Sequence, residues 1–434
     1  MVEPSSRRQR LGYLDGLRFI AAWVVLNGTL LDNVIPSDSY SAIQRSSPLY
    51  IFRSTNLGFT ALLIISGRAI VHHLWELPSA HDDSSKGPSV AWYKTSRSLL
   101  TRPFRFILPV LVIAAIQWAL GATGATDVSS GIGLEPPAWD QIRTWSGYCT
   151  LVFDLFSQWF VIDTTTAKTF GSNLWFTPWI FDASYCAYVT HIMLGNLSSN
   201  RYYVYFALGF FSWCSFNFFA VTTMGVVICD MAVHGVFERV QKWPFLTRLA
   251  LQLTLVAIAL VFQWINVIRD NVNSGLATIN VTNLDEVTFC DFIFVTCGLL
   301  VVETSTWCQF VFGNWVVKNT VGKLSAGLVV ISPIILYTVI PHIASSMNAS
   351  GTVGSSVLGV SWLVLFLATL GLSIIFYFVV ELPSKLAAEW FGNFCTNYGR
   401  SDEEEAARKA MNAKANEGVK APNSAPARLK AWFL

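Results

Sequence analysis

Charge is scarce in this chain. Only 13% of its 434 residues are Asp, Glu, Lys or Arg, while 53% are hydrophobic, and a soluble fold of that size would need more polar surface to cover its core. The formal net charge of +2 leaves no electrostatic footprint for nucleic acid, so no such partner is expected. Also missing are a P-loop, a G-x-G-x-x-G turn, an HExxH helix and a G-x-S-x-G elbow. ATP-driven transport, dinucleotide chemistry, zinc proteolysis and α/β-hydrolase chemistry therefore have no support. The 8 cysteines fall mostly in apolar segments, with neither CxxC nor Cys/His ligand spacing. They read as small packing residues, and no metal is expected. No internal repeat and no soluble domain is found.

What remains is a series of apolar windows. Stretches of about 20 residues long enough to cross a bilayer lie near 13–32, 57–76, 104–122, 174–195, 202–216, 217–237, 247–267, 287–303, 323–342 and 356–380. The expected fold is all-α, a polytopic membrane bundle of about ten transmembrane helices. Arg7, Arg8 and Arg10 precede an apolar run longer than a signal-peptide core, without a small-residue cleavage site, so a retained first helix is expected. With that end cytosolic, the loop holding Lys86, Lys94, Arg97, Arg102 and Arg105 also falls inside. The Asn280-Val281-Thr282 and Asn348-Ala349-Ser350 sequons then face the lumen, where glycosylation is possible, and Asn196-Leu197-Ser198 does not. Residues 1–12 make a basic cytosolic N-terminus, 13–394 the transmembrane domain, and 395–434 a cytosolic tail of low hydrophobicity that is expected to be disordered.

Ionised groups at membrane depth cost roughly 2.5 kcal/mol or more each, so those inside the windows mark candidate chemistry. Asp15 and Arg18 stand at the mouth of the first window. Thr29, eleven residues beyond Arg18, returns to the same helical face within ~20°. An arginine above a polar stripe suits a phosphate-bearing substrate whose reactive end reaches inward, although snorkelling to headgroups also accounts for Arg18. Arg68 and His72 share a face one turn apart, beside His73. Arg102 and Arg105 are expected at a helix N-terminus, where two cations oppose the macrodipole and call for an anion; positive-inside anchoring explains them equally. Asp182 and His191 lie nearly on one face of the fourth window. Asp230, His234 and Asp291 are further polar intruders, whereas Glu303 and Glu381 read as helix-end charges.

In order along the chain, Tyr13-Leu14-Asp15-Gly16-Leu17-Arg18, Ile65-Ser66-Gly67, Arg102-Pro103-Phe104-Arg105 through Pro109, Leu174-Trp175-Phe176-Thr177-Pro178, Gly225 to Asp230, Gly322-Lys323-Leu324-Ser325 and Val380-Glu381-Leu382-Pro383-Ser384 resemble the ordered motifs of the acyltransferase 3 family of integral-membrane O-acyltransferases, in particular its fungal members. The resemblance covers about residues 11–390. It implies a roughly ten-helix bundle that takes an acyl group from cytosolic acyl-CoA and passes it to a hydroxyl of a membrane-accessible acceptor. It implies no bound cofactor beyond that co-substrate. Arg18 matches the family's first-helix arginine, while Thr29 stands where its histidine belongs; Ile180 replaces a glutamate, Asp182 falls where an arginine is common, and Ser332 replaces another histidine.

A threonine hydroxyl does not titrate near neutral pH, so it cannot do the work of an imidazole that takes a proton. A working enzyme needs a substitute base. His72 is ranked first, with His73, His191 and Asp182 as the other available groups. Arg18, Arg68, Arg102 and Arg105 are expected to bind the phosphates of CoA. The expected function is acyl transfer, in the first instance of acetyl, to a lipophilic small molecule such as a secondary metabolite, in the endoplasmic reticulum or another endomembrane with both termini cytosolic. The alternative is a catalytically silent relative that carries lipid or metabolite or serves as a partner subunit.

Overall fold

A computed structural model describes residues 12–34, 54–75, 89–126, 176–195, 201–215, 217–279, 287–314, 321–350 and 355–397, with the isolated residues 146, 149, 173 and 197. Among them every regular element is helical and none is a strand. In chain order these are α1 (Gly12–Val34), α2 (Thr55–Trp75), α3 (Ser89–Ala122), α4 (Phe176–Leu194), α5 (Arg201–Ser215), α6 (Asn217–Val233) and the short α7 (Val236–Gln241). They continue as α8 (Phe245–Trp264), α9 (Asn266–Ala277), α10 (Phe289–Thr304), α11 (Thr306–Phe312), α12 (Ser325–Ala349), α13 (Ser355–Phe376) and α14 (Leu382–Asn397). A 3-10 turn, Gly322–Leu324, leads into α12, and a π turn, Tyr377–Glu381, joins α13 to α14.

All ten apolar windows overlap helices, but among the described residues length and composition qualify five as membrane spans: Gly12–Leu31, Thr95–Ala122, Phe245–Trp264, Gly322–Ala349 and Ser356–Cys395. A sixth arises if α10 and α11, bent by 102°, count as one broken span. The shortfall from ten has physical causes. The 15 residues of α5 rise only about 22 Å, short of the roughly 30 Å hydrocarbon core. α2 and α4 are longer, but Arg68 with His72, and Asp182 with His191, dilute their apolar runs. These helices make the chain an integral membrane protein by length and composition.

Burial separates inner helices from outer ones. The spans built on α1 and α12 are 61% and 72% buried, whereas that of α8 is 6% buried. The bare face of α8 carries Leu246, Leu253 and Ile258, an apolar surface that suits lipid and not water. α1 packs on α2 and α12, α2 on α6, and α3 on α14. The α2–α6 crossing is a backbone-to-backbone contact: a Cβ on Gly67 would lie 2.4 Å from the Thr222 carbonyl oxygen, and one on Gly225 would lie 2.2 Å from that of Ile64. Small residues let helices approach this closely in lipid, where dispersion replaces the hydrophobic drive.

The break at Ser305 is satisfied locally. Ser305 Oγ accepts from Cys308 N at 3.3 Å, and the Glu303 carbonyl freed by the bend accepts from Gln241 Nε2 and Gln309 Nε2, each at 2.9 Å. Of the sequons, Asn280 and Asn196 lie outside the described residues, and Asn348 is exposed at the end of α12. α14 runs to Asn397, three residues past the boundary expected at 394, and the rest of the tail lies outside the described residues.

Candidate functional site

Two adjoining cavities occupy one end of the bundle. A polar vestibule of about 510 Å³ is lined by Arg18, Arg97, Ser98, Thr101, Arg102, Arg105, Tyr188 and Glu389. Beneath it an apolar chamber of about 350 Å³ is lined by Phe106, Val110, Phe176, Ile180, Val329 and Phe376, with Ser66, Asn173, Thr177, Ser325, Glu381 and Lys385 among its polar groups. Arg18, Ile70, Arg102 and Arg105 line both and form the neck between them. Among the described residues, five cations against two carboxylates line the pair of cavities. That excess favours an anion, and guanidinium groups suit phosphate or carboxylate in particular.

Each neck arginine has a traceable position. Arg18 Nη1 donates to Asp15 Oδ1 at 2.8 Å, one turn back on α1. Arg102 Nη2 donates to Ser184 Oγ at 2.6 Å, and its guanidinium lies 5.0 Å from the centroid of Phe106. The Arg102 Nε is buried with no hydrogen-bond partner among the described residues. A buried charged donor left unmade is costly, so it marks a place for an acceptor. Arg105 is exposed at the rim. Arg97 Nη2 reaches across to Asn393 Oδ1 at 2.7 Å, which ties α3 to α14. Gly392 makes that contact possible, because a Cβ there would lie 2.5 Å from Thr101 Cγ2.

On α4 the cavity-lining residues are Thr177, Ile180 and Tyr188, and Ser184 continues the same face against Arg102, each three or four residues from the next. The Tyr188 hydroxyl lies 2.7 Å from Ser98 Oγ. On α2 the corresponding ladder is Leu62, Ser66 and Ile70.

These ladders correct several sequence expectations. Arg68 lies two residues from both Ser66 and Ile70, about 200° around the helix, and so faces away from the cavities. Its Nε donates to Glu303 Oε1 at 3.0 Å, with both side chains 5% exposed, and its Nη1 lies 3.4 Å from Cys229 Sγ. Tyr13 OH donates to the same carboxylate oxygen at 2.5 Å. Arg68 is thus committed to an internal ion pair, and Glu303, which does stand at the end of α10, is its buried partner. His72, part-buried on Arg68's face, lines neither cavity. Asp182 is offset by the same two residues from Ile180 and Ser184 and also points elsewhere. His191 sits in the last turn of α4 against Gly195. Neither cavity is lined by a histidine among the described residues.

Thr29 is buried below the chamber, where its Oγ1 donates to Val25 O at 2.8 Å and lies 3.4 Å from Asn173 Nδ2. Asn173, which lines the chamber, donates to Val329 O at 2.8 Å. The macrodipole argument for Arg102 and Arg105 lapses, because α3 begins at Ser89 and both stand near its middle; the dipole acts only within the first turn. The call for an anion rests instead on charge balance and on Arg102 Nε. The other polar intruders pair internally: Arg201 grips Asp230 with Nε–Oδ2 at 2.8 Å and Nη2–Oδ1 at 2.9 Å, beside His234, and Gln263 Nε2 donates to Asp291 Oδ1 at 3.1 Å.

Six of the seven motif elements read from the sequence contribute to the cavity walls, through Arg18, Ser66, Arg102 with Arg105 and Pro109, Phe176 with Thr177, Ser325, and Glu381. The seventh, around Gly225, packs behind the second. Sequence reasoning did not assign Ser184, Tyr188, Lys385 and Glu389 to the site, and it set Glu381 aside. Fold and site together define an all-helical membrane protein with a basic cleft above an apolar chamber. No family model, curated protein or solved structure matches the chain.

Proposed function

We propose that this protein is a membrane O-acyltransferase of the acyltransferase 3 kind, which moves an acyl group, in the first instance acetyl, from acyl-CoA to a hydroxyl of a lipophilic small molecule. In this reading the chain crosses the membrane about ten times, with its termini cytosolic and its location the endoplasmic reticulum or a related endomembrane. The shorter helices α5, α6 and α10 and the more polar α2 and α4 supply the additional crossings. The vestibule then opens toward cytosolic acyl-CoA, and the lipophilic acceptor reaches the chamber from the bilayer.

The observation that carries the proposal is the neck. Arg18, Arg102 and Arg105 stand between a polar vestibule and an apolar chamber, the order of environments that a molecule with a phosphate-bearing end and a thioester-bearing end requires. Both volumes fall in the range of small-molecule sites, roughly 300–1,000 Å³. Arg102 offers a buried donor without a partner to that ligand. A carrier or partner subunit without catalysis is the second reading, favoured by cavities whose described walls hold no histidine.

The test is direct binding of acetyl-CoA to the purified full-length protein in detergent micelles, followed by release or transfer of radiolabelled acetate. Acetyl-CoA is expected to bind, and S-acetyl-pantetheine, which keeps the thioester but lacks the nucleotide phosphates, is expected to bind far more weakly. Arg102→Leu should weaken acetyl-CoA at least tenfold, since a charge-assisted bond contributes about 1.5–3 kcal/mol. A wild-type chain that does not bind acetyl-CoA at all refutes both readings as forms of this family. Binding without turnover favours the carrier.

A further inference from the structure

Helix α13 does not end as an α-helix. It closes in the π turn Tyr377–Glu381, within which Phe378 and Val379 are 58% and 66% exposed while Val380 and Glu381 are buried at 8% each. Single π turns inside α-helices recur at functional sites, because the wider turn re-aims side chains. Here it aims a carboxylate into the apolar chamber, whose walls Glu381 shares with Arg18 and Lys385.

The two oxygens of that carboxylate are not equivalent. Oε2 accepts from Lys385 Nζ at 3.2 Å, and the ammonium lies 4.8 Å from the Tyr377 ring centroid, so Lys385 is held from two sides. Oε1 is buried and has no hydrogen-bond partner among the described residues. A buried polar atom without a partner is costly, and chains keep such atoms where a ligand supplies what is missing. Of the carboxylates lining the two cavities, Glu389 belongs to the vestibule and is exposed, which leaves Glu381 inside.

Resting on the acyl-transfer reading above, we infer that Glu381 is the proton acceptor of the reaction and takes the place of an imidazole. Glu381 Oε1 removes the hydroxyl proton of the acceptor as that oxygen bonds to the thioester carbonyl carbon, and the carbonyl electron pair moves onto its oxygen. When the tetrahedral species collapses, the C–S bond breaks with its electron pair on sulfur. The thiolate takes the proton back from Glu381, giving the ester, free CoA thiol and the original carboxylate. No oxidant, reductant or further group is required. Lys385 is a positioning residue: by holding Oε2 it keeps Oε1 turned to the acceptor.

The experiment uses full-length protein in mixed micelles with [¹⁴C]acetyl-CoA and n-dodecanol as the acceptor probe, scoring both acetyl-dodecanol and released acetate. Glu381→Gln should lower kcat by 10²- to 10⁴-fold with the KM for acetyl-CoA within threefold of wild type. Lys385→Met should lower kcat about tenfold, again at unchanged KM, and Lys385→Arg should restore most of it. If Glu381→Gln does not elute as a monodisperse protein, Glu381→Asp carries the same test, with an expected kcat loss of at least tenfold. A kcat within threefold of wild type in either Glu381 variant overturns the inference and leaves donor binding standing. A wild-type protein that binds acetyl-CoA without consuming it also overturns it, whereas one that does not bind acetyl-CoA overturns the acyl-transfer reading as well.

Discussion

Removing Glu303 tests whether Arg68 belongs to the scaffold or to the ligand site. The pair is 3.0 Å apart with both side chains 5% exposed, so solvent screens it little. At an effective dielectric of 20 its Coulomb attraction is about 5 kcal/mol, offset in large part by desolvation. Glu303→Met leaves the Arg68 guanidinium buried and unpaired and takes the acceptor from Tyr13 OH, itself 1% exposed. The expected loss of stability is about 3–5 kcal/mol. Arg68→Met should cost a similar amount by stranding the carboxylate.

The double variant behaves differently. With both charges gone, the Tyr13 hydroxyl is the one strong hydrogen-bonding group orphaned, at about 1–3 kcal/mol, beside the weak acceptor Cys229 Sγ, so the coupling energy of the cycle should be about 3 kcal/mol or more. Adding Tyr13→Phe should return stability to near wild type, because an apolar replacement of a buried network is often neutral. SDS titration in mixed micelles, followed by helical circular dichroism, measures each step. A Glu303→Met loss below 1 kcal/mol, or independent effects of the two sites, refutes the reasoning. The stabilised triple variant should also retain acetyl-CoA binding, since Arg68 lines neither cavity; lost binding would show that the pair does more than hold helices together.

Gly225→Leu should separate α2 from α6 and destabilise the bundle by at least 1–3 kcal/mol, because its Cβ alone would meet Ile64 O at 2.2 Å and Arg68 N at 2.8 Å; an SDS midpoint equal to wild type would contradict the close crossing. Gly392→Leu should push α14 off α3 at Thr101 and break the Arg97–Asn393 contact. It should weaken acetyl-CoA binding several-fold with a smaller change in stability than Gly225→Leu, and unaltered binding would remove α14 from the vestibule wall.

What could be read from the sequence was local. Hydropathy windows located helices at all ten positions because burial in lipid needs only a run of apolar neighbours. Arg18, Arg102 and Arg105, which line both cavities, stood out in the sequence together with Arg68 because charges embedded in such runs are conspicuous. The Arg68–Glu303 pair joins residues 235 apart in sequence, and nothing local reports a partner at that distance. The number of crossings is no more local: whether a helix of 15 to 17 residues such as α5, α6 or α10 crosses a bilayer depends on its neighbours and on bends like the one at Ser305.

The misplaced site residues share one geometric cause. Helical periodicity says which residues lie on one face, as with Arg68 and His72, but not what that face meets. An offset of two residues, about 200°, is all that separates Arg68 from Ser66 and Asp182 from Ile180. Glu381 inverts the lesson. Counted from Phe376, which lines the chamber, a regular α-helix would place residue 381 about 140° away, turned from the cavity, whereas the sequence offered Glu381 only as a helix-end charge. Because a π turn closes over five residues instead of four, Phe376 and Glu381 come to one side, and Lys385, a further turn on, follows them. One residue of extra winding therefore brings a carboxylate and its ammonium partner to the chamber wall, where Glu381 is the one carboxylate among the described lining residues.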